Sequence, residues 1–201
     1  MEFLKSIDLE AFLFLNGFHN PFFDIIMYWV SERFIWIPMY LIMSLFIVKH
    51  YKWESILILA GVALTITLCD QIASGLIKNW AERLRPSHEP GLVDLVHLTK
   101  AGTGGMYGFI SSHAANTFGL TSFLWVVLDS SFNGMKYWLV VWASFVSYSR
   151  IYNGLHYPGD VIAAAILGAA LGYLVGAGCL FIKRRLLIHA ILQHDENNKS
   201  G

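Results

Sequence analysis

Val161 to Ile182 runs without a single charged side chain, and a stretch of that length belongs in a bilayer. About 20 apolar residues cross the hydrocarbon core as a helix, and a helix satisfies its own backbone hydrogen bonds there. Leu57 to Ile77 is nearly as long, with Asp70 and Gln71 as polar intrusions. Phe34 to Val48, Ala114 to Leu128 and Tyr137 to Tyr148 are shorter, and Pro21 to Val30 reaches only halfway. Ser31-Glu32-Arg33 separates the first two runs as a turn at a membrane surface. Met1 to Phe18 alternates charge with Phe3, Leu4, Ile7, Leu9, Phe12, Leu13 and Phe14, the pattern of an amphipathic helix lying in the interface. The expected fold is all-α: an integral membrane helical bundle with five or six transmembrane helices and an N-terminal amphipathic interfacial helix. It forms one domain over residues 1–201, with a core at 54–185 and one long loop, Pro86 to Ile110, rich in Gly and turn formers.

Composition agrees. Hydrophobic residues make up 56% of the 201 and charged residues 14%, and mean hydropathy is +0.53, whereas soluble domains are about a quarter charged. A net charge of +0 argues against nucleic acid as a partner, because its binders carry a basic surplus. Cys69 and Cys179 both sit inside apolar runs and read as packing residues. Met1 to Glu10 lacks the basic-then-apolar order of a cleavable signal peptide.

Basic residues orient the runs. Lys49, Lys52, Lys136 and Lys183-Arg184-Arg185 fall on one face if the runs alternate, and the positive-inside rule makes that face cytoplasmic; Arg33 is the exception. The side of the N-terminus stays open: cytoplasmic with six spans, external with five. Trp29, Trp36, Trp53, Trp80 and Trp138 fall near run ends, as in an aromatic belt.

On the opposite face stand three short polar clusters: Lys78-(six residues)-Arg85-Pro86, Ser111-Ser112-His113, and Ser149-Arg150-(five residues)-His156-(three residues)-Asp160. Charges at a membrane boundary are expensive unless they bind something. Three fixed cations suit an anion with several oxygens, and two histidines suit chemistry on it. Pro86 disfavours helix at Arg85, so the third helix should stop there with the guanidinium at its tip. Ser111 suits the N-cap of the fourth span, whose free N–H groups make a phosphate site. Pro158 suits the first turn of the last helix, which puts His156 at a second helix N-terminus; Asp160, four residues on, lies close enough to accept a hydrogen bond from one imidazole nitrogen.

Plainer readings exist for each feature. Lys78 and Arg85 taken singly could snorkel to headgroups, and His156 with Asp160 could start a zinc site, but no third ligand is placed and the arginines repel a cation. Asp70 reads as structural. Gly168, Gly172 and Gly176, every fourth residue on one face, read as a close helix contact within the chain rather than a dimer seam. His19, His50, His88, His97, His189 and His194 read as surface or interface residues.

The three motifs, in this order and spacing, resemble those of the type 2 phosphatidic acid phosphatase (PAP2) family, which shares its site with vanadium haloperoxidases. The likeness spans about two-fifths of the chain, from Lys78 to Asp160. The family usually has Pro-Ser-Gly-His in the second motif, where this chain has Ile110-Ser111-Ser112-His113. The resemblance implies that His156 attacks phosphorus to form a phosphohistidine, that Asp160 orients it, and that His113 protonates the leaving oxygen. Lys78, Arg85, Ser111, Ser112 and Arg150 would hold the phosphate, with no metal and no cofactor. It implies a membrane lipid phosphatase of the bacterial inner membrane, facing the periplasm or exterior. The partners expected are a lipid phosphate substrate and membrane lipids, with a homodimer and a monomer equally open. Small size favours undecaprenyl diphosphate as substrate; phosphatidylglycerophosphate, phosphatidic acid and the phosphate of lipid A are the alternatives. A haloperoxidase-like enzyme and a non-enzymatic lipid-phosphate binder or transporter complete the range.

Overall fold

A computed structural model describes residues 2–199, and the side chains of residues 2–188; His189 and His194 therefore lie outside the described side chains. Among these residues the architecture is all-α, and strand pairing is limited to one isolated bridge between Leu84 and Tyr107. The helices are α1 (Glu2–Gly17), α2 (Pro21–Ser31), α3 (Ile37–Tyr51), α4 (Ser55–Asp70), α5 (Lys78–Ala81), α6 (Ser112–Val127), α7 (Asn133–Tyr152) and α8 (Pro158–Lys199). Short 3₁₀ turns join α2 to α3 and α3 to α4, and a π-helical segment, Gln71–Ile77, joins α4 to α5. Two helical stretches, Arg33–Ala81 and Pro158–Ile188, are long and apolar enough to cross a membrane. The surface is correspondingly apolar: Leu45, Val141, Ile166 and Leu174 are each more than 60% exposed, as suits side chains turned to lipid rather than water.

Lipid removes the usual reason for helices to associate, since tails are as apolar as leucine, and close backbone approach takes its place. Here α8 supplies it. A Cβ added at Gly168 would strike the Ala115 backbone, one at Gly172 the Gly119 carbonyl, and one at Gly176 the Val126 side chain. Gly119 in turn faces Cys69 of α4, and Gly61 of α4 faces Phe123 of α6. The glycine stripe thus packs within the chain, and α4, α6 and α8 form a tight three-helix centre. Cys69 and Cys179 are both buried and unpaired within it. Around it lies an apolar cluster that includes Ile47, Phe123, Leu124, Leu139 and Trp142.

Contacts at the two ends set the helix directions. At one end Lys183 of α8 pairs with Glu54 at 2.6 Å, and His50 and Tyr51 bond Asp129 in the α6–α7 turn. The basic residues Lys49, Lys52, Lys136 and Lys183 gather at this end. At the other end, Ser31 meets Arg150, and residues around Arg83 meet the start of α8. Helices α3, α4, α6, α7 and α8 each run from one end to the other. Helix α1 is more than an interfacial float: its Phe12 is wholly buried against Tyr157, ring centroids 5.4 Å apart, while Phe3, Leu4 and Phe14 stay exposed.

Gly172→Ala is expected to lower the melting temperature in detergent, since overpacking costs about 1–3 kcal/mol. Gly178→Ala, where a Cβ meets nothing within 4 Å, should melt like the parent. Equal melting of the two variants would remove the seam as a stabilising contact.

Candidate active site

The first polar cluster is built by ending a helix early. Proline at 86 led to an expected stop at Arg85, but α5 ends at Ala81. Glu82 takes the left-handed conformation, φ 44°, and its N–H caps the Lys78 carbonyl. Residues 83–85 then run extended beside the 106–108 strip, with Arg85 N–H donating to Met106 O and Gly108 N–H to Arg83 O. The extension carries the Arg85 side chain inward, where it is 8% exposed. Its Nε donates to Tyr107 O and its Nη1 to Leu155 O, both at 3.2 Å. Gly104, φ +67°, leaves it room, since a Cβ there would sit 3.0 Å from Nη1.

The other two clusters form at adjacent helix starts, as their sequences suggested. Ser111 caps α6 by accepting the Ala114 N–H, and Pro158 opens α8. The two starts are tied by the Ser111 N–H donating to Asp160 O at 3.3 Å. Capping uses a lone pair of the fully buried Ser111 hydroxyl and leaves its proton free to donate. Arg150, at the end of α7, is 9% exposed and donates to Ser31 Oγ; its Nε finds no partner among the described residues.

His156 is where the clusters meet. It is 1% exposed, and its Nε2 lies 3.4 Å from Arg85 Nη1. Burial holds its imidazole well below the usual histidine range, and the charges of Arg85, Arg150 and Lys78 press in the same direction. Both effects favour the neutral ring, which sits beside a cationic centre. Lys78 itself is half-buried at the first residue of α5. His113 and Ser112, on the first turn of α6, line an adjoining cavity of about 450 Å³, and His113 lies within electrostatic reach of Arg150 and His156.

One expected bond is longer than foreseen. Asp160 Oδ2 stands 3.7 Å from His156 Nδ1, beyond hydrogen-bond range, and that nitrogen is without a partner among the described residues. The carboxylate is instead held by the Tyr157 N–H at 3.1 Å and by Arg83 Nη1 at 2.7 Å. Arg83 also grips Asp8 of α1 at 2.7 Å and stacks over Tyr157, 4.0 Å from its ring centroid. Asp8 in turn accepts from Gly159 N–H at 2.7 Å. Sequence reasoning missed Arg83 and Asp8. Arg83 sits within the first motif two residues from Arg85, a spacing that only an extended backbone turns toward one neighbourhood.

A second network, also missed, fastens the long loop. His97 Nε2 bonds Asp24 at 2.9 Å and its ring stacks on His19, centroids 3.7 Å apart. Asn16 clasps the His97 backbone at both N–H and carbonyl and reaches the Tyr152 carbonyl at 2.8 Å. His19 and His97 are thus interface residues, joining the loop to α1, α2 and α7.

Arg83→Leu should lower kcat at least tenfold, because Asp160 would be left buried with one partner fewer. Asp8→Asn, one bond further out, should cost less. Measured on the purified variants, an Arg83→Leu rate equal to the parent would show that Asp160 needs no such support.

Comparison with known proteins gives the family of the chain. The sequence profile of the PAP2 superfamily matches residues 55–178. A Bacteroides thetaiotaomicron protein named lipid A 4'-phosphatase is 40% identical over 176 residues, covering 87% of this chain and 77% of the relative. Its Porphyromonas gingivalis namesake is 34% identical over 188 residues, covering 93% and 79%. The fold matches that of Aquifex aeolicus LpxE, TM-score 0.61 at 22% identity over 83% of this chain and 93% of that one. It also matches a transmembrane PAP2 type phosphatidylglycerolphosphate phosphatase from Bacillus subtilis, TM-score 0.68 at 23% identity over 92% and 90%. With its profile, its relatives and its fold in agreement, the chain belongs to the PAP2 superfamily and is a phosphatase.

Proposed function

We propose that this protein removes a phosphate monoester from a sugar-based membrane lipid of the lipid A type, by way of a phosphohistidine on His156. The observation that carries the chemistry is the buried His156 imidazole with Arg85 Nη1 3.4 Å from its Nε2, and with Arg150 and Lys78 near enough for their charges to act on it. Phosphoryl transfer rewards positioned positive charge above all, and here it surrounds the nucleophile before substrate arrives. His156 Nε2 attacks phosphorus, forming an N–P bond as the ester P–O bond breaks. The leaving oxygen takes a proton from His113. Water then gives a proton to His113 and attacks phosphorus, and inorganic phosphate departs with the N–P bond broken. Asp160 balances charge developing on the His156 ring; hydrogen bonds of this kind commonly tighten once substrate is bound. Ser111 and Ser112 add donors at the start of α6.

The choice of lipid rests on the relatives. Undecaprenyl diphosphate, expected first from the size of the chain, is not supported by them; the lipid A alternative is, through two relatives at 40% and 34% identity that carry that activity in their names. With purified protein, a lipid A 4'-phosphate substrate should exceed undecaprenyl diphosphate, phosphatidylglycerophosphate and phosphatidic acid at least tenfold in kcat/KM. His156→Ala should fall below detection on all four. A better rate on undecaprenyl diphosphate would overturn the substrate, and a near-parental rate of His156→Ala would overturn the mechanism.

The reading also has a topology. Five spans, α3, α4, α6, α7 and α8, put α1, α2 and the site outside and the basic end inside. Support comes from the pairing of helix ends and from the positive-inside rule. The site would then face the periplasm or exterior of a bacterial inner membrane, and residues 2–188 would work as one catalytic unit. In a background lacking Cys69 and Cys179, a cysteine at Thr103 should react with impermeant maleimide in intact spheroplasts, and one at Ser131 only after lysis. Both positions are exposed. The reverse pattern would invert the topology.

A further inference from the structure

Beside the phosphate-holding cations lies the cavity of about 450 Å³ that His113 and Ser112 enter from one wall. That volume falls within the roughly 300–1,000 Å³ usual for small-molecule sites. Its remaining lining is mixed in a particular way. Trp36, Tyr40 and Trp142 supply aromatic surface, while Arg33, Asp70, Gln71 and Asn116 supply charged and polar groups. Trp142 is 3% exposed and held edge-on by Trp36 and Tyr40, ring centroids 5.6 and 6.0 Å away. Its Nε1, and the Oδ1 of Asn116, have no hydrogen-bond partner among the described residues. A buried donor and a buried acceptor left unmade are costly, which points to a ligand that completes them.

The lining selects the ligand by elimination. An acyl chain would desolvate Asp70, Gln71, Asn116 and the Trp142 N–H and return nothing. The phosphate itself is less suited, because Arg33 is the single cation in the lining and the Asp70 carboxylate opposes it, while Lys78, Arg85 and Arg150 stand around His156. A glycerol unit offers no ring face for the aromatic walls. A sugar ring offers both C–H faces for aromatic contact and hydroxyls for carboxylate, amide and indole partners. Asp70 and Gln71 also stand at the change from α4 to the π-helical segment, a rare geometry that often accompanies functional sites. Asp70 therefore has a use beyond the structural one first assigned to it.

We propose that this cavity is the subsite for the sugar ring that bears the phosphate, with the ester oxygen at its His113 edge; this rests on the sugar-lipid reading above. Trp142, Asn116, Asp70 and Gln71 would then decide which lipid is chosen rather than whether phosphate is cleaved.

The test compares the parent with Trp142→Phe, which keeps an aromatic ring but loses the N–H together with part of the indole, and with Gln71→Leu on a different helix, which leaves the packing around Trp142 untouched. The ratio of kcat/KM on a glucosamine-based lipid phosphate to that on phosphatidic acid should fall roughly three- to tenfold in each variant. In a second arm, the dephosphorylated glycolipid competes with phosphatidic acid hydrolysis, and its inhibition constant should rise by a similar factor in each variant. A ratio and an inhibition constant within twofold of the parent in both variants would overturn the subsite and leave the sugar-lipid function standing. A parent enzyme indifferent between the two substrates would overturn that function instead. The competition arm would then decide the subsite, which falls if the glycolipid does not inhibit or inhibits all three proteins alike.

Discussion

Backbone contact between α6 and α8 is the constraint from which the site is measured. Gly168 and Gly172 let α8 lie directly on the Ala115 and Gly119 turns of α6, and a larger residue at either position would force the helices apart. Because the two helices begin at the same level, their starts meet: Ser111 donates to the Asp160 carbonyl. The second and third motifs, whose Ser111 and Asp160 are about a quarter of the chain apart in sequence, are thereby fixed within a few ångströms of each other. In a bilayer, where burial of apolar surface gives no preference for protein over lipid, such close approach is the available source of precision.

Electrostatics sets the second level. Three cations around one imidazole repel each other and lose hydration, and no carboxylate bonds directly to Arg85 or Arg150 among the described residues. Backbone carbonyls of Tyr107 and Leu155 and the Ser31 hydroxyl take their place. Neutral partners hold the guanidinium groups in position without a direct ion pair, which leaves their charge available to an anion. Asp160 stands 3.7 Å from His156 at its Nδ1 and is shared with Arg83.

The N-terminal helices and the long loop close the arrangement from outside. Asp8 of α1 reaches Arg83 and the start of α8, Ser31 of α2 reaches Arg150, and Asn16 with Asp24 fastens the loop through His97. Segments that look peripheral in the sequence therefore support the central residues. The cavity beside His113, floored by α4 and walled by α3 and α7, lies between these segments and His156, so the proposed lipid subsite and the proposed phosphate site would be neighbouring parts of one bundle.

What could be read in the sequence was what periodicity and local chemistry encode. The apolar runs, the Ser111 cap, the Pro158 helix start and the glycine stripe depend on residues a few positions apart, and each is found where the pattern put it. The approach of the six charged and imidazole groups to one end also followed, because the runs alternate in direction and the basic loops mark the other end. Tertiary structure decided the rest. Arg83 joins the site only because Glu82 turns left-handed and the following residues run extended, a conformation no local signal announced. Asp160 bonds Arg83 more closely than His156 because α1 brings Asp8 to the same guanidinium from seventy-five residues away. Asp70 and Asn116, unremarkable in their own runs, face one cavity because α4 and α6 pack at a distance set by Gly61 and Gly119. Such relations are properties of packed surfaces, and a one-dimensional pattern carries them only after the helices have met.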